Sequence, residues 1–407
     1  MLRADGFREG ECIAIATKDK NIRPSIRKAI ESASVVVVGS GLFGLTIAER
    51  IANILKMPVV VLERREHIGG NAWSFRDAST GIDVHQYGTH IFHTSNVKVW
   101  EYVNQFTEFT DYRHSVWANH EKRMYPLPIN LATLNMFFEK NFSPREARDF
   151  IKAQEIHDES LDSFESKMLS VMGSKLYKAF IRGYTLKQWQ TNPNQLPSSL
   201  AGRVPIRYNF NLNYFEDSFQ GIPKMGYDSL MENMIKNSLI STFTDTDFFD
   251  VKNLVSRSKL VVYTGPIDEY FDYQFDLLGW RTVDLSFETL PLEDFQGTAV
   301  VNYSDVRAPF TRIHEFHHLN PERRFRSDLT IVAKEYSRLA GKNDEPYYPV
   351  NTEIDRDRFS KYRSLVSKEH NVIFGGRLAT YKYLDMHMAI ASALVKFETE
   401  ILPVLGK

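Results

Sequence analysis

The run Gly39-Ser40-Gly41-Leu42-Phe43-Gly44 has the composition and spacing to hold a pyrophosphate. Its glycines divide the work: one makes a tight turn, one lets backbone approach the phosphates, and one allows close packing of helix on strand. Residues 45–52 read as the helix that follows, with its positive N-terminal end toward the phosphates. In front, Ser34-Val35-Val36-Val37-Val38 reads as a buried parallel strand, and Val59-Val60-Val61-Leu62 as the next. That second strand ends at Glu63, 19 residues past Gly44, near the ~20 expected of a ribose-binding carboxylate. This unit is expected to bind a dinucleotide. Two more short strands run into glycine turns, Leu260-Val261-Val262-Tyr263 before Gly265, and Val372-Ile373-Phe374 before Gly375-Gly376-Arg377. The cofactor domain should therefore be discontinuous.

A second constellation lies mid-chain. Gly183-Tyr184-Thr185-Leu186-Lys187-Gln188-Trp189 closes a helical region, a breaker-rich loop spans 192–199, and Arg203 and Arg207 follow. Aromatic rings beside guanidiniums suit a nucleotide, since the base stacks and the planar forks pair with diphosphate oxygens. A polar surface loop is the competing reading of the same stretch. Arg281, Arg312, Tyr347 and Tyr348 add cations and rings further on. Two histidine groups, His85/His90/His93 and His314/His317/His318, invite a metal test. The glycine-led turn Gly88-Thr89-His90-Ile91-Phe92-His93 suits a histidine facing a cofactor instead, and no metal site is expected.

The elements that position these groups are legible in outline. The chain has 407 residues, 50 Lys and Arg against 51 Asp and Glu, and one cysteine, Cys12. Near-neutral charge gives no electrostatic reason for nucleic acid or an anionic membrane, and no apolar run approaches the ~20 residues of a membrane helix. A single cysteine excludes an internal disulfide. A cytoplasmic enzyme is the class expected. Residues 1–33 lack a sustained apolar period and read as a flexible extension. Ser143-Pro144-Arg145-Glu146 is a capping box, with Ala147, Phe150 and Ile151 as its apolar stripe, and Leu161, Phe164, Met168 and Met172 form a second. Strands are expected to dominate from Tyr208 to about Tyr348.

Ile68-Gly69-Gly70-Asn71, soon after Glu63, resembles the extended fingerprint of flavoproteins with a glutathione-reductase-type FAD domain. The whole chain from about 34 to 402 resembles the UDP-galactopyranose mutase family. The resemblance rests on that turn, on Val37-Val38-Gly39-Ser40-Gly41, His90-Ile91-Phe92-His93-Thr94, the run 183–189, Pro309-Phe310-Thr311-Arg312, Tyr347-Tyr348-Pro349, and Gly376-Arg377-Leu378-Ala379-Thr380-Tyr381-Lys382-Tyr383-Leu384-Asp385. Ala379 replaces a glycine common in the family.

The resemblance implies an α/β (α+β overall) fold: a glutathione-reductase-like Rossmann FAD domain (34–100, 222–272, 349–404), an inserted helical bundle (125–200, with a mobile substrate loop about 192–207) and an antiparallel β-sheet domain (101–124, 203–221, 273–348), with the active cleft between them. It implies that Phe180 and Tyr184 stack uracil, that Trp189 walls the sugar, and that Arg203 and Arg312 clamp the diphosphate. Tyr214, Tyr348 and Tyr383 would bind phosphate oxygens, and Asn302, Asp385 and Arg281 would approach the substrate. Gly39, Ser40, Gly41, Leu42, Phe43, Gly44, Glu63, Arg64, Gly70, Asn71, Gly265, Gly376, Arg377, Tyr383, Leu384, Asp385 and Met386 would hold FAD, with His90 and His93 beside its ring. Arg203, Arg312, His90 and His93 are the expected catalytic residues.

The implied reaction is a ring contraction between UDP-galactopyranose and UDP-galactofuranose, a sugar donor for cell-surface polysaccharide. N5 of reduced FAD attacks the anomeric carbon, and a flavin–galactose iminium follows. A reductant such as NAD(P)H and a homodimer are further expectations. An amine-oxidase-type flavin oxidoreductase is the alternative, and a catalytically silent homologue a second.

Overall fold

A computed structural model describes residues 22–156, 161–203, 205–255, 260–323, 325 and 328–406, without the side chains of Gly202 and Arg203. The chain divides into two compact units. One comprises Met1–Trp73, Asp228–Leu278 and Glu353–Lys407, the other Ser74–Tyr227 and Gly279–Thr352.

The first unit is built on a five-stranded sheet in the order Val372–Phe374, Leu260–Tyr263, Val35–Val38, Val59–Leu62, Ile240–Phe243, and every pairing is parallel. Val35–Val38, Val59–Leu62 and Leu260–Tyr263 are buried along their whole length, as their unbroken apolar runs require of a sheet covered on both faces. Val35, Val37, Val59, Val61 and Val262 pack with Ile47 and Ile51 of the first helical stretch and with Ala393 and Phe397 near the C-terminus. The strands of this sheet come from far-apart parts of the chain.

Part of the extension departs from the sequence reading. Pro24–Ser32 is a helix with proline in its first turn and Ile26 and Ile30 buried. These isoleucines stand four apart and so share one face. Arg23 donates to the Thr244 carbonyl (3.0 Å) and to Thr246 Oγ1 (2.9 Å). One helical turn's worth of apolar spacing was too short a period to register as a pattern. Cys12 lies outside the described residues.

The second unit carries a seven-stranded sheet in the order Tyr348–Pro349, Trp280–Leu290, Thr330–Leu339, Arg312–Glu315, Val300–Tyr303, Val116–His120, Arg123–Leu127. It is antiparallel except at one pairing, where Val300–Tyr303 runs parallel to Val116–His120. The helical region belongs to the same unit. Ser143 caps Pro144–Lys152 and Glu146 returns the bond, while Ala147 and Ile151 face the core. Phe164–Leu176 follows, capped by Ser163, and Leu161 stands outside it, 40% exposed. The unit boundary falls at Trp73, well before residue 100, because Ser74–Arg76 pairs with Asp83–His85, and Phe92–Thr94 with Phe219–Gly221. The strand-rich pieces are those outside the expected cofactor segment 222–272, within which Tyr227–Met234 and Phe248–Val255 are helices.

Because Ile30 is 2% exposed, Ile30→Ala should cost about 2–4 kcal/mol. Thermal unfolding checks this, and an unchanged midpoint would detach the helix from the core.

Candidate active site

In the first unit, three glycine turns stand at the carboxyl ends of three neighbouring parallel strands, where open α/β sheets bind ligands. Gly39 has φ +95°, and a Cβ there would lie 2.1 Å from Thr264 Oγ1. A Cβ on Gly44 would meet the Gly39 carbonyl at 2.1 Å. Gly41 differs: nothing lies within 4 Å of the same point, and it caps the Leu42–Arg50 helix with no side chain bonded to the first-turn amides. Helix amides left uncapped beside open space are what a pyrophosphate needs. Gly375 sits against the Phe43 ring, and Gly376 (φ +77°) faces Phe43 and Thr264, so the first and last turns are packed together.

Glu63 is buried, and its Oε2 accepts from Ser40 N (2.9 Å) and Oγ (2.6 Å) while Oε1 accepts from the Arg65 amide (3.0 Å). The second lone pair of Oε1 remains for a ribose hydroxyl. Asn71 accepts from Arg65 (2.8 Å), and Arg64 lies 3.8 Å from Glu269. Arg377 donates to the Leu384 carbonyl (2.5 Å) and stacks over Tyr383 at 5.4 Å. Asp385 precedes Met386 at the start of the Met386–Lys396 helix, and Gly265 follows Leu260–Tyr263 at the end of its strand. These residues fit a flavin dinucleotide.

In the second unit, the sheet register places Asn302, Arg312 and Glu335 opposite one another on three successive strands. Arg312 Nε lies 3.2 Å from Glu335 Oε1 without hydrogen-bond alignment, and Nη2 donates to the Tyr184 hydroxyl. Glu335 also accepts from Thr311 Oγ1 (2.9 Å) and pairs with His314 Nε2 (3.0 Å). Burial pushes its carboxyl up, but the Arg312 charge and these hydrogen bonds outweigh that and hold it at about 2. Burial opposes the Arg312 charge, yet Glu335 keeps the guanidinium firmly protonated. The hydroxyls of Tyr184, Tyr348 and Tyr214 lie within electrostatic reach of that guanidinium. Asn302 Oδ1 is buried with no hydrogen-bond partner.

Arg281, 2% exposed, sits beside Tyr348 in the register. Among the described residues it bonds only neutral groups, Ser337 Oγ (3.2 and 3.4 Å) and Gln190 Oε1 (3.4 Å). Burial lowers it to about 10, so it stays charged at neutral pH. A buried cation without a counterion invites an anionic ligand. Phe180 is buried against Tyr125, Phe137 and His120, and Trp189 packs on the helical core. His93 Nδ1 pairs with Asp217 (2.7 Å) over the Phe215 ring, and His90 Nδ1 with the Gly88 carbonyl (2.7 Å).

The expected site residues thus fall into two sets. Arg312, Tyr184, Tyr214, Tyr348, Asn302 and Arg281 gather around the sheet of the second unit, and the glycine turns gather in the first. Arg203 ends a 3-10 turn, Ser198–Arg203, and its side chain lies outside the described residues. Sequence reasoning missed Glu335 and Ser337. Their signal was two polar residues at alternate, buried positions of Thr330–Leu339. His314 was weighed as a metal candidate and serves Glu335 instead. His317 and His318 meet Glu315 and Asp294 at 3.2–3.5 Å, where Glu315 also accepts from the amides of Phe295 and Gln296.

Residues 179–383 match the family model described as UDP-galactopyranose mutase, and 37–106 match that of the NAD(P)-binding Rossmann-like domain. A Klebsiella pneumoniae protein named "Probable UDP-galactopyranose mutase" is 41% identical over 90% of this chain and 94% of its own. The chain belongs to the UDP-galactopyranose mutase family. A family relative from Escherichia coli, named dTDP-fucopyranose mutase, is 38% identical over 88% of this chain and 96% of its own. The UDP-galactopyranose mutase of Mycoplasma genitalium is 32% identical over 90% of this chain and 94% of its own. A crystal structure of reduced UDP-galactopyranose mutase superposes with a TM-score of 0.67, covering 91% of this chain and 96% of its own at 14% identity. A putrescine oxidase structure reaches 0.53 at 10% identity, so that protein shares the fold. Among the described residues no helix is long and apolar enough to cross a membrane.

Two variants separate folding from dinucleotide binding. Gly41→Val should leave the unfolding midpoint nearly unchanged and lower the flavin content of the purified protein at least several-fold. Gly44→Ala should lower both; equal flavin content in the Gly41 variant would move the phosphates elsewhere. Glu335 contributes stability that is full above its ordinary value of ~4.3 and is lost as pH falls toward 2. Glu335→Gln should therefore cost about 3–5 kcal/mol at neutral pH, and the gap to the parent protein should narrow between pH 5 and 3 in urea unfolding. A constant gap would contradict the ion pair.

Proposed function

We propose that this chain interconverts UDP-galactopyranose and UDP-galactofuranose, with FAD that works in its reduced state. The observation that carries the reading is a pair of guanidiniums in the second unit among tyrosine hydroxyls. The partly buried Arg312 is compensated by Glu335, and the buried Arg281 is without a counterion among the described residues. That arrangement suits a diphosphate, and the family membership supports a UDP-sugar as its carrier. Reduced FAD supplies the nucleophile, N5, for the anomeric carbon, so the protein need provide neither a catalytic triad nor a carboxylate pair.

The chain's own groups do electrostatic work. Arg312, oriented by Glu335 and Tyr184, stabilises the charge that accumulates on the diphosphate as the sugar–phosphate bond breaks. Arg203 joins that clamp from its turn. Arg281, with Tyr348 beside it, adds a second positive charge. Phe180 and Tyr184 take the uracil and Trp189 the sugar. Asn302 Oδ1, without a partner among the described residues, accepts a hydrogen bond from a sugar hydroxyl. The family resemblance assigns His90 and His93 to the flavin ring, and Tyr383, Arg377 and Asp385 with the glycine turns would hold FAD. A two-electron donor such as NAD(P)H keeps the cofactor reduced, and the furanose product supplies surface polysaccharide.

The near-equal identity to the dTDP-fucopyranose mutase supports a second reading, in which the substrate is a dTDP-6-deoxysugar. Incubation with UDP-galactofuranose and, separately, dTDP-fucofuranose, with and without dithionite, decides between them. Conversion of the UDP-sugar only after reduction is expected. Preferred turnover of the dTDP-sugar would select the second reading, and no conversion of either would discard both. Arg312→Ala should lower kcat/KM at least about 100-fold with flavin retained; near-normal turnover would remove it from the clamp.

A further inference from the structure

Lys187 lies in the helix Gly183–Trp189, in a run the sequence marks as diagnostic, yet no step above uses it. Its ammonium donates to four backbone carbonyls: Tyr303 (2.6 Å), Asp305 (2.9 Å), Ala308 (3.0 Å) and Phe310 (2.8 Å). All four belong to the connection between Val300–Tyr303 and Arg312–Glu315. One end of that connection carries Asn302 and the other Arg312. An ammonium has three protons and no acceptor, so it is saturated by this ring of carbonyls.

A second observation locks the same helix to the same connection. Gly183 stands one turn before Lys187 and so on the same face, and a Cβ on Gly183 would lie 2.1 Å from the Ser304 carbonyl. Only glycine permits that approach. The neighbouring positions reach the two arginines: Tyr184 bonds Arg312, and the Gln188 carbonyl accepts from Ser337 Oγ (2.8 Å), which in turn bonds Arg281.

We propose that Lys187 is a positioning residue, whose ammonium fixes the 303–311 connection and thereby sets Asn302 and Arg312 at the spacing that the sugar and diphosphate require. The helix then acts as one ruler for both arginines. Without the ammonium, four inward carbonyls lose their donor, the connection relaxes, and Arg312 keeps Glu335 but loses its fixed relation to Asn302. Burial lowers the ammonium to about 8, so it is charged at neutral pH and loses a proton, and one of its donors, above that.

This inference rests on the proposed reaction for its kinetic consequence but not for its structural one. Lys187→Met keeps the length and removes the donors. Hydrogen exchange of the amides of 303–311 should quicken at least about tenfold, with exchange in the parallel sheet of the first unit unchanged. With UDP-galactofuranose and reduced FAD, KM should rise about tenfold or more. The parent's kcat/KM should fall through an apparent pKa near 8 that is absent from the variant. Should the Met variant fail to fold, Lys187→Gln, which retains two donors, is expected to show the same changes at smaller size. Unchanged exchange at 303–311 overturns the proposal, as do KM and alkaline profile within twofold of the parent. If the parent protein itself turns over neither sugar, the reaction assignment fails, and the exchange experiment still decides the role of Lys187.

Discussion

A buried carboxylate beside a guanidinium organises the second unit. Glu335 comes from the middle of Thr330–Leu339 and Arg312 from the start of Arg312–Glu315, and the antiparallel register sets them opposite each other. Leaving either alone in that interior would cost several kcal/mol, so each fixes the other, and the surroundings follow. Thr311 and His314 satisfy the carboxylate, and the Tyr184 hydroxyl accepts a hydrogen bond from the guanidinium. Burial lowers His114 to about 3, helped by the Arg312 charge, so this imidazole adds no positive charge of its own at neutral pH. The arginine is thus held with its charge intact, opposite Asn302 in the strand register.

The first unit solves a different problem by the absence of side chains. Where its strands end, glycine is required for steric reasons at Gly39, Gly44 and Gly375, and for open space at Gly41. The steric glycines bring turn, helix and neighbouring strand together; the open one leaves room at the helix end for phosphate. A charged side chain at that point would fill the space that the helix amides need.

How much of this the sequence disclosed depended on the range of the signal. The glycine turns are local, and unbroken valine runs identify parallel strands, so the dinucleotide unit was legible down to individual residues. Glu63 was found by its spacing, but its bonds to Ser40 were not, because they depend on how the loop closes. The arginines and tyrosines were named through family resemblance, whereas Glu335 sits in a strand whose alternation of exposed and buried positions shows only that something polar faces inward. Its partner comes from a strand over 20 residues away, and register between strands is not written in either one alone. The helix Pro24–Ser32 escaped because two isoleucines make too short a pattern. Val300–Tyr303 pairing parallel with Val116–His120 escaped because strand direction is a property of the assembled sheet.

The central claim is that the second unit recognises a diphosphate through its guanidiniums. Calorimetric titration of the FAD-loaded protein with UDP and, separately, with uridine tests it most directly. The account predicts that UDP binds at least about 100-fold more tightly, since charge-assisted bidentate contacts supply the difference. Equal affinities for UDP and uridine would contradict it.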